Sequence, residues 1–99
     1  MRTNRTVSVY LNGAAVNGLD SLSCLVMPAR PEIVAMQGIP AGKQFEIFFP
    51  EVYASIREGH EIVNDADSTE RYRVIGTSHF DTPHGAHSEI LAEARWGNA

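Results

Sequence analysis

The sequence predicts a mainly β fold: a small β-barrel of short antiparallel strands with long loops and at most one or two short helical turns, as a single domain over residues 1–99. Three observations carry that reading. Apolar and polar residues alternate in several short runs, Gly, Pro and Asn-Gly signals separate those runs, and no long segment sustains helical spacing. A chain of 99 residues suits one domain, because anything smaller would bury too little of its own surface.

In "TVSVYLNG", Val7 and Val9 alternate with Ser8 and Tyr10 and then meet Asn12-Gly13, the dipeptide that most readily supplies the positive φ angles of a tight hairpin turn. Residues 6–11 are therefore a strand followed by a turn. "SLSCLVMPA" places Leu22, Cys24 and Val26 on one face and Leu25 and Met27 on the other, which predicts a strand buried on both sides. Pro28 and Pro31 remove backbone donors and end it.

From Pro31 to Lys43 a short apolar patch of Ile33, Val34 and Met36 is followed by Gln37, Gly38, Ile39, Pro40 and Gly42. Glycines and a proline so close together punctuate a loop, and the patch before them has room for one helical turn or a short strand. "QFEIFFP" sets Phe45, Ile47 and Phe49 against Glu46, a half-buried strand stopped by Pro50. Phe48 cannot share a face with Phe49 on a regular strand, so Phe48 is assigned either to an interface or to a sheet covered on both faces.

"EVYASIREG" is a connection with at most one helical turn. "HEIVND" and "RYRVIGTSHF" follow as a hairpin around the polar turn "ADSTE", with Tyr72, Val74 and Ile75 supplying apolar weight and Arg71 and Arg73 facing out. "HSEILAEARW" is ambiguous. Ser88 suits a helix cap and Glu, Leu and Ala favour a helix, yet Ile90, Ala92, Ala94 and Trp96 alternate as in a strand. Pattern alone leans slightly towards helix.

Hydrophobic residues at 43% and charged residues at 20% describe a chain that folds rather than a disordered one. No window approaches a membrane span and the N-terminus lacks a signal-peptide core, which places synthesis in the cytosol with no membrane step. Cys24 is the single cysteine, in the apolar setting "LSCLVM", where a thiol behaves as a small buried hydrophobe. The net charge of −4 argues against a protein that grips DNA phosphates through a basic face.

The order of features over residues 45–91 is "FEIFFP", "ASIREGHEIVND", a polar turn, "RYRVIGTSHFD", a histidine-bearing loop and "HSEIL". It resembles the head–tail joining proteins of tailed bacteriophages, also called head-completion, adaptor or stopper proteins. The matching positions are Ile56, Gly59, Ile62 and Asp65, then Tyr72, Val74 and Gly76, then His87, Glu89 and Leu91. The turn "NDADSTERY" departs from the Asp-Gly or Gly-Arg hairpin of that pattern, and the first twenty or so residues carry little of it.

The resemblance implies a non-enzymatic virion protein, made in the host bacterial cytoplasm and located at the head–tail interface. Its copies would form a six- or twelvefold ring between portal or adaptor and tail, with no cofactor, and packaged DNA would pass through without sequence-specific binding. It makes residues 87–96 a closing strand. It also implies that Ile33, Val34, Met36, Gln37, Gly38, Ile39, Pro40, Gly42 and Lys43 form a channel or assembly loop. A tail-terminator or minor capsid protein is the alternative within the same class.

An alternative from another class is a small metal-binding barrel enzyme using His79, Asp81, His84 and His87, since imidazoles with a carboxylate are competent ligands. Against it, two ligands on one strand facing one interior would read His-x-His, and Pro83 and Gly85 put His84 in a turn. Asp65, Asp67 and Glu70 lack the central Gly and distant Glu of a calcium loop and read as a solvated turn. His60 reads as a satisfied rim histidine.

Overall fold

The computed structural model describes residues 2–30, 43–83 and 85–95. Among them are seven strands and no helix: β1 (Arg5–Leu11), β2 (Ala14–Ala15), β3 (Leu22–Pro28), β4 (Gln44–Phe49), β5 (Glu61–Asn64), β6 (Asp67–Phe80) and β7 (His87–Ala94). Each pairs antiparallel with its neighbours in the order β2-β1-β3-β4-β7-β6-β5, and β5 returns to pair with β1. Six strands thus close a small barrel, and β2 is a two-residue tab on the end of β1.

The period-2 pattern sets which residues point in. Val7 and Val9 of β1, Leu22, Cys24 and Val26 of β3, Ile47 and Phe49 of β4, Ile62 of β5, Tyr72 and Val74 of β6, and Ile90 and Ala92 of β7 are all buried in one core. Asn12 and Gly13 both take positive φ, 51° and 82°, as the hairpin after β1 requires.

The two ends of the barrel differ. At one, the connection from Phe49 to Glu61 crosses as a lid: Ile56 is fully buried, and Tyr53 meets Phe49 edge to face at 5.5 Å. At the other, Phe45 meets Tyr72 edge to face at 5.3 Å, and polar groups fill the remaining space. Arg30 and Lys43, the feet of the β3–β4 connection, stand at this second end, where Ala29 N–H donates to Gln44 O (3.0 Å).

Two expectations change and two open alternatives are decided. The 50–60 connection, which allowed at most one helical turn, contains turns but no helical one. The outward face of β3 is not covered: Leu25 is half-buried and Met27 is 37% exposed. The β5–β6 turn is tighter than "ADSTE", because pairing resumes at Asp67 opposite Asn64, with a bulge at Val63/Asn64. Residues 87–94 form a strand and not the helix that pattern alone favoured, as the resemblance implied, because β4 and β6 flank them on both sides.

Where β1 no longer flanks β3, the Asn4 side chain takes the place of a strand. Its Nδ2 donates to Val26 O (3.0 Å) and its Oδ1 accepts from Val26 N–H (2.8 Å), so a carboxamide stands in for a peptide group and caps the edge. Asn4→Ala is expected to destabilise the protein by about 1–2 kcal/mol in denaturant unfolding and to speed hydrogen exchange at the Val26 amide. Unchanged exchange there would show that the cap is dispensable.

Candidate functional site

The polar end of the barrel is built from residues far apart in sequence. Glu70, inward-facing on β6, receives Arg5 Nε (3.0 Å) and the Tyr72 hydroxyl (2.5 Å) on Oε2, and Asn64 Nδ2 (3.0 Å) on Oε1. Burial alone would raise the Glu70 carboxyl. The hydrogen bonds from Tyr72, Asn64 and Arg5, with the guanidinium charge, outweigh it and hold the carboxyl below its ordinary value of 4.5. The same burial and the bond to Glu70 push the Tyr72 phenol up.

Arg5, Phe45, Asp67, Thr69, Glu70 and Tyr72 line an open cleft of about 300 Å³ at this end. Beneath them, burial pushes the Cys24 thiol up to about 12, so it is a core group and not a nucleophile.

Beside this plug stands the stem of the β3–β4 connection. Arg30 is bound to one carboxylate three ways: its backbone N–H and Nε reach Glu46 Oε2 (3.0 and 3.1 Å) and Nη2 reaches Oε1 (3.0 Å). Glu46 points outward yet is only 5% exposed. On the other foot, Lys43 is exposed and its carbonyl accepts from Ala94 N–H (2.7 Å), tying the stem to β7. Gln44 is 1% exposed, and among the described residues neither end of its carboxamide has a hydrogen-bond partner. Of the candidate loop, Ile33, Val34, Met36, Gln37, Gly38, Ile39, Pro40 and Gly42 lie outside the described residues.

The outer wall next to the stem is mixed, with apolar side chains flanking the Glu46–Arg30 ion pair and Glu89 and Glu93 on the neighbouring strand. Leu25 pairs with Phe48, and Glu46 lies between Met27 and Leu91 in successive strands. Phe48 is half-buried on this outer face, as are Leu25 and Leu91.

Among the described residues the histidine cluster does not converge. His79 faces inward at the lid end, with Nδ1 2.8 Å from Ser88 Oγ and Nε2 3.4 Å from Ile56 O. Ser88 Oγ accepts from Tyr53 N–H (2.9 Å), so its own hydrogen is free for Nδ1 and the set clamps the lid. Ser88 is fully buried, which closes it to any substrate. His87, one register position on, faces outward: the Gly85 carbonyl and Glu89 raise its pKa, and its ring stacks on Phe80 at 4.9 Å. Among the described residues no three His, Cys, Asp or Glu side chains could share a metal ion; His84 lies outside them.

The other sequence candidates have structural partners. His60 is buried, not on the rim, and Nδ1 accepts from Arg57 N–H (3.2 Å). Asp65 accepts from Ser8 (2.7 Å) and Asp67 from Thr69 (2.6 Å), which lowers the Asp67 carboxyl. The spaced residues behind the phage resemblance are likewise barrel parts: Ile56 and Ile62 are core, and Gly59 takes φ 92° before β5. No family model, curated protein or solved structure matches the chain.

The depressed Glu70 carboxyl makes the plug acid-sensitive. Its stabilisation is present above the ordinary carboxylate value and is lost as pH falls through the lower folded value. Glu70→Gln is expected to cost about 1–3 kcal/mol at neutral pH, with the gap to the parent protein closing as denaturant melts are taken down to about pH 3. A gap independent of pH would remove the charge from the explanation.

Proposed function

We propose that the chain is a non-enzymatic structural protein of the phage neck, a head-completion or stopper component that works as a ring. The observation that carries the reading is the stem: a connection of 12 residues between Arg30 and Lys43 leaves one end of a closed barrel, held by Arg30 on Glu46 and by Lys43 on β7. A connection set on a rigid frame is a common place for a barrel to carry function.

Two further features support it. Leu25, Met27, Phe48 and Leu91 set apolar side chains around the Glu46–Arg30 pair on the wall beside the stem, a mixed patch suited to a neighbouring protein. The net charge of −4 suits a lumen through which DNA passes without being held. In this reading, copies pack side by side, the portal or adaptor lies above, the tail below, and the loop extends or closes the channel. The work is mechanical, so no bond is made or broken.

Purified protein incubated with DNA-filled, tail-less heads carrying a portal is expected to co-sediment with them, to add density at the single portal vertex and to reduce DNA leakage. Phe48→Asp is expected to weaken that binding at least about tenfold while the barrel still folds, because Phe48 is outside the core. Absence of binding under conditions that support tail joining would overturn the neck role, and binding to tails instead would make the protein a tail terminator.

A further inference from the structure

The barrel wall has an edge, at residues 76–80 of β6, that no backbone hydrogen bond among the described residues closes. From Tyr72 to Val74, β6 has a neighbour on each side: Val74 N–H donates to His60 O and Val74 O accepts from Gly59 N–H, both at 2.9 Å. Beyond Val74, β6 runs on to Phe80 paired with β7 alone.

Which backbone groups face that open side follows from the pleat. Val74 points its side chain inward and its N–H and C=O away from β7, and alternate residues of a strand share both directions. The bulge between Val74 and Gly76 inserts one extra residue, so Thr77 and His79 are the next inward-facing positions. Their N–H and C=O groups therefore point to the open side, and no backbone hydrogen bond from the described residues reaches them there. The contrast with β3, whose edge Asn4 caps, is plain.

We propose that this edge, residues 76–80, is a self-association site at which a second copy of the chain adds its own β6 antiparallel, across a two-fold axis at Ser78. In that register Thr77 lies opposite His79 of the second copy, and His79 opposite its Thr77. Both pairs carry outward-pointing groups, so each exchanges two N–H···O=C bonds.

The same register places Phe80 opposite Gly76 of the second copy. Phe80 is 41% exposed, with His87 stacked on one side of its ring. Gly76 has no positive φ, and a Cβ there would meet Leu91 Cβ at an ordinary 3.8 Å, so nothing among the described residues of the single chain demands a glycine. A bare backbone under an aromatic ring is a recurrent cross-strand match.

Gly59 and His60 occupy the edge beside Val74 and limit the pairing to five residues per copy. That falls well short of the roughly 1,600 Å² of stable complexes, so the pair is weak and reversible. The contact is closed, sits at the barrel end opposite the loop stem, and does not rest on the neck assignment.

The test is sedimentation from about 10 μM to about 1 mM, with hydrogen exchange at the Thr77 and His79 amides read over the same range. Dimer should appear with concentration, and both amides should slow with it. Thr77→Pro removes only an open-side N–H and leaves the β7 ladder intact; it should abolish the dimer and leave the His79 amide at its monomer rate. Should that variant not fold, Phe80→Ala serves instead, with dissociation at least about tenfold easier. A monomer at every concentration would overturn the proposal, and so would a dimer that leaves both amides exchanging as in the monomer.

Discussion

The pairing of β1 with β5 is the constraint on which the rest depends. Val7, Ser8, Val9 and Tyr10 meet Asn64, Val63, Ile62 and Glu61, and this ladder alone turns a six-stranded ribbon into a barrel. Side chains reinforce it: Ser8 Oγ donates to Asp65 (2.7 Å) across 57 positions of sequence and accepts from Ser21 N–H (3.2 Å), while Asp65 N–H donates to Thr6 O (2.9 Å). Closure removes two strand edges at once and buries Val7, Val9 and Ile62 against the opposite wall. Bringing such distant segments together carries a loop-closure cost that the buried apolar surface must offset.

Closure also explains why the two ends differ. A six-stranded barrel has room only for side chains, so each end must be filled by what the chain supplies. At one end the 50–60 connection provides Ile56 and Tyr53, clamped by Ser88 and His79. At the other, polar groups do the filling, and a carboxylate there is tolerable only because Arg5, Tyr72 and Asn64 all donate to it. The connection between Arg30 and Lys43 is carried by that second end, so the satisfied network and the Glu46 clamp together give it a fixed base.

Much of the barrel was legible because burial follows alternation directly. Val7 and Val9, then Leu22, Cys24 and Val26, then Ile47 and Phe49 read as inward-facing in sequence and are. Asn12-Gly13 named its own turn. The last strand was harder, because Glu89, Leu91, Ala92, Glu93 and Ala94 are good helix formers; only the flanking β4 and β6 settle the matter, and those contacts are not local. The β5–β6 turn reads too long in sequence for a related reason: Asp67, Ser68 and Thr69 are polar because they stand exposed, not because they turn. The plug left no local signal, since Arg5, Asn64, Glu70 and Tyr72 belong to three strands. Glu46 looked like a solvent-facing residue, and only the fold of Arg30 over it shows otherwise.

Native-state hydrogen exchange at the seam between β1 and β5 tests closure most directly. Because Val9 turns its backbone to Leu19 and Val16, the amides of Ser8, Tyr10, Glu61 and Val63 are the ones that face the seam. They should exchange only through global unfolding, with the same free energy as core amides of β4 and β7. Exchange of these amides at a clearly lower free energy, while β4 and β7 stay protected, would mean that the barrel opens along β1 and β5 and would contradict the closed frame.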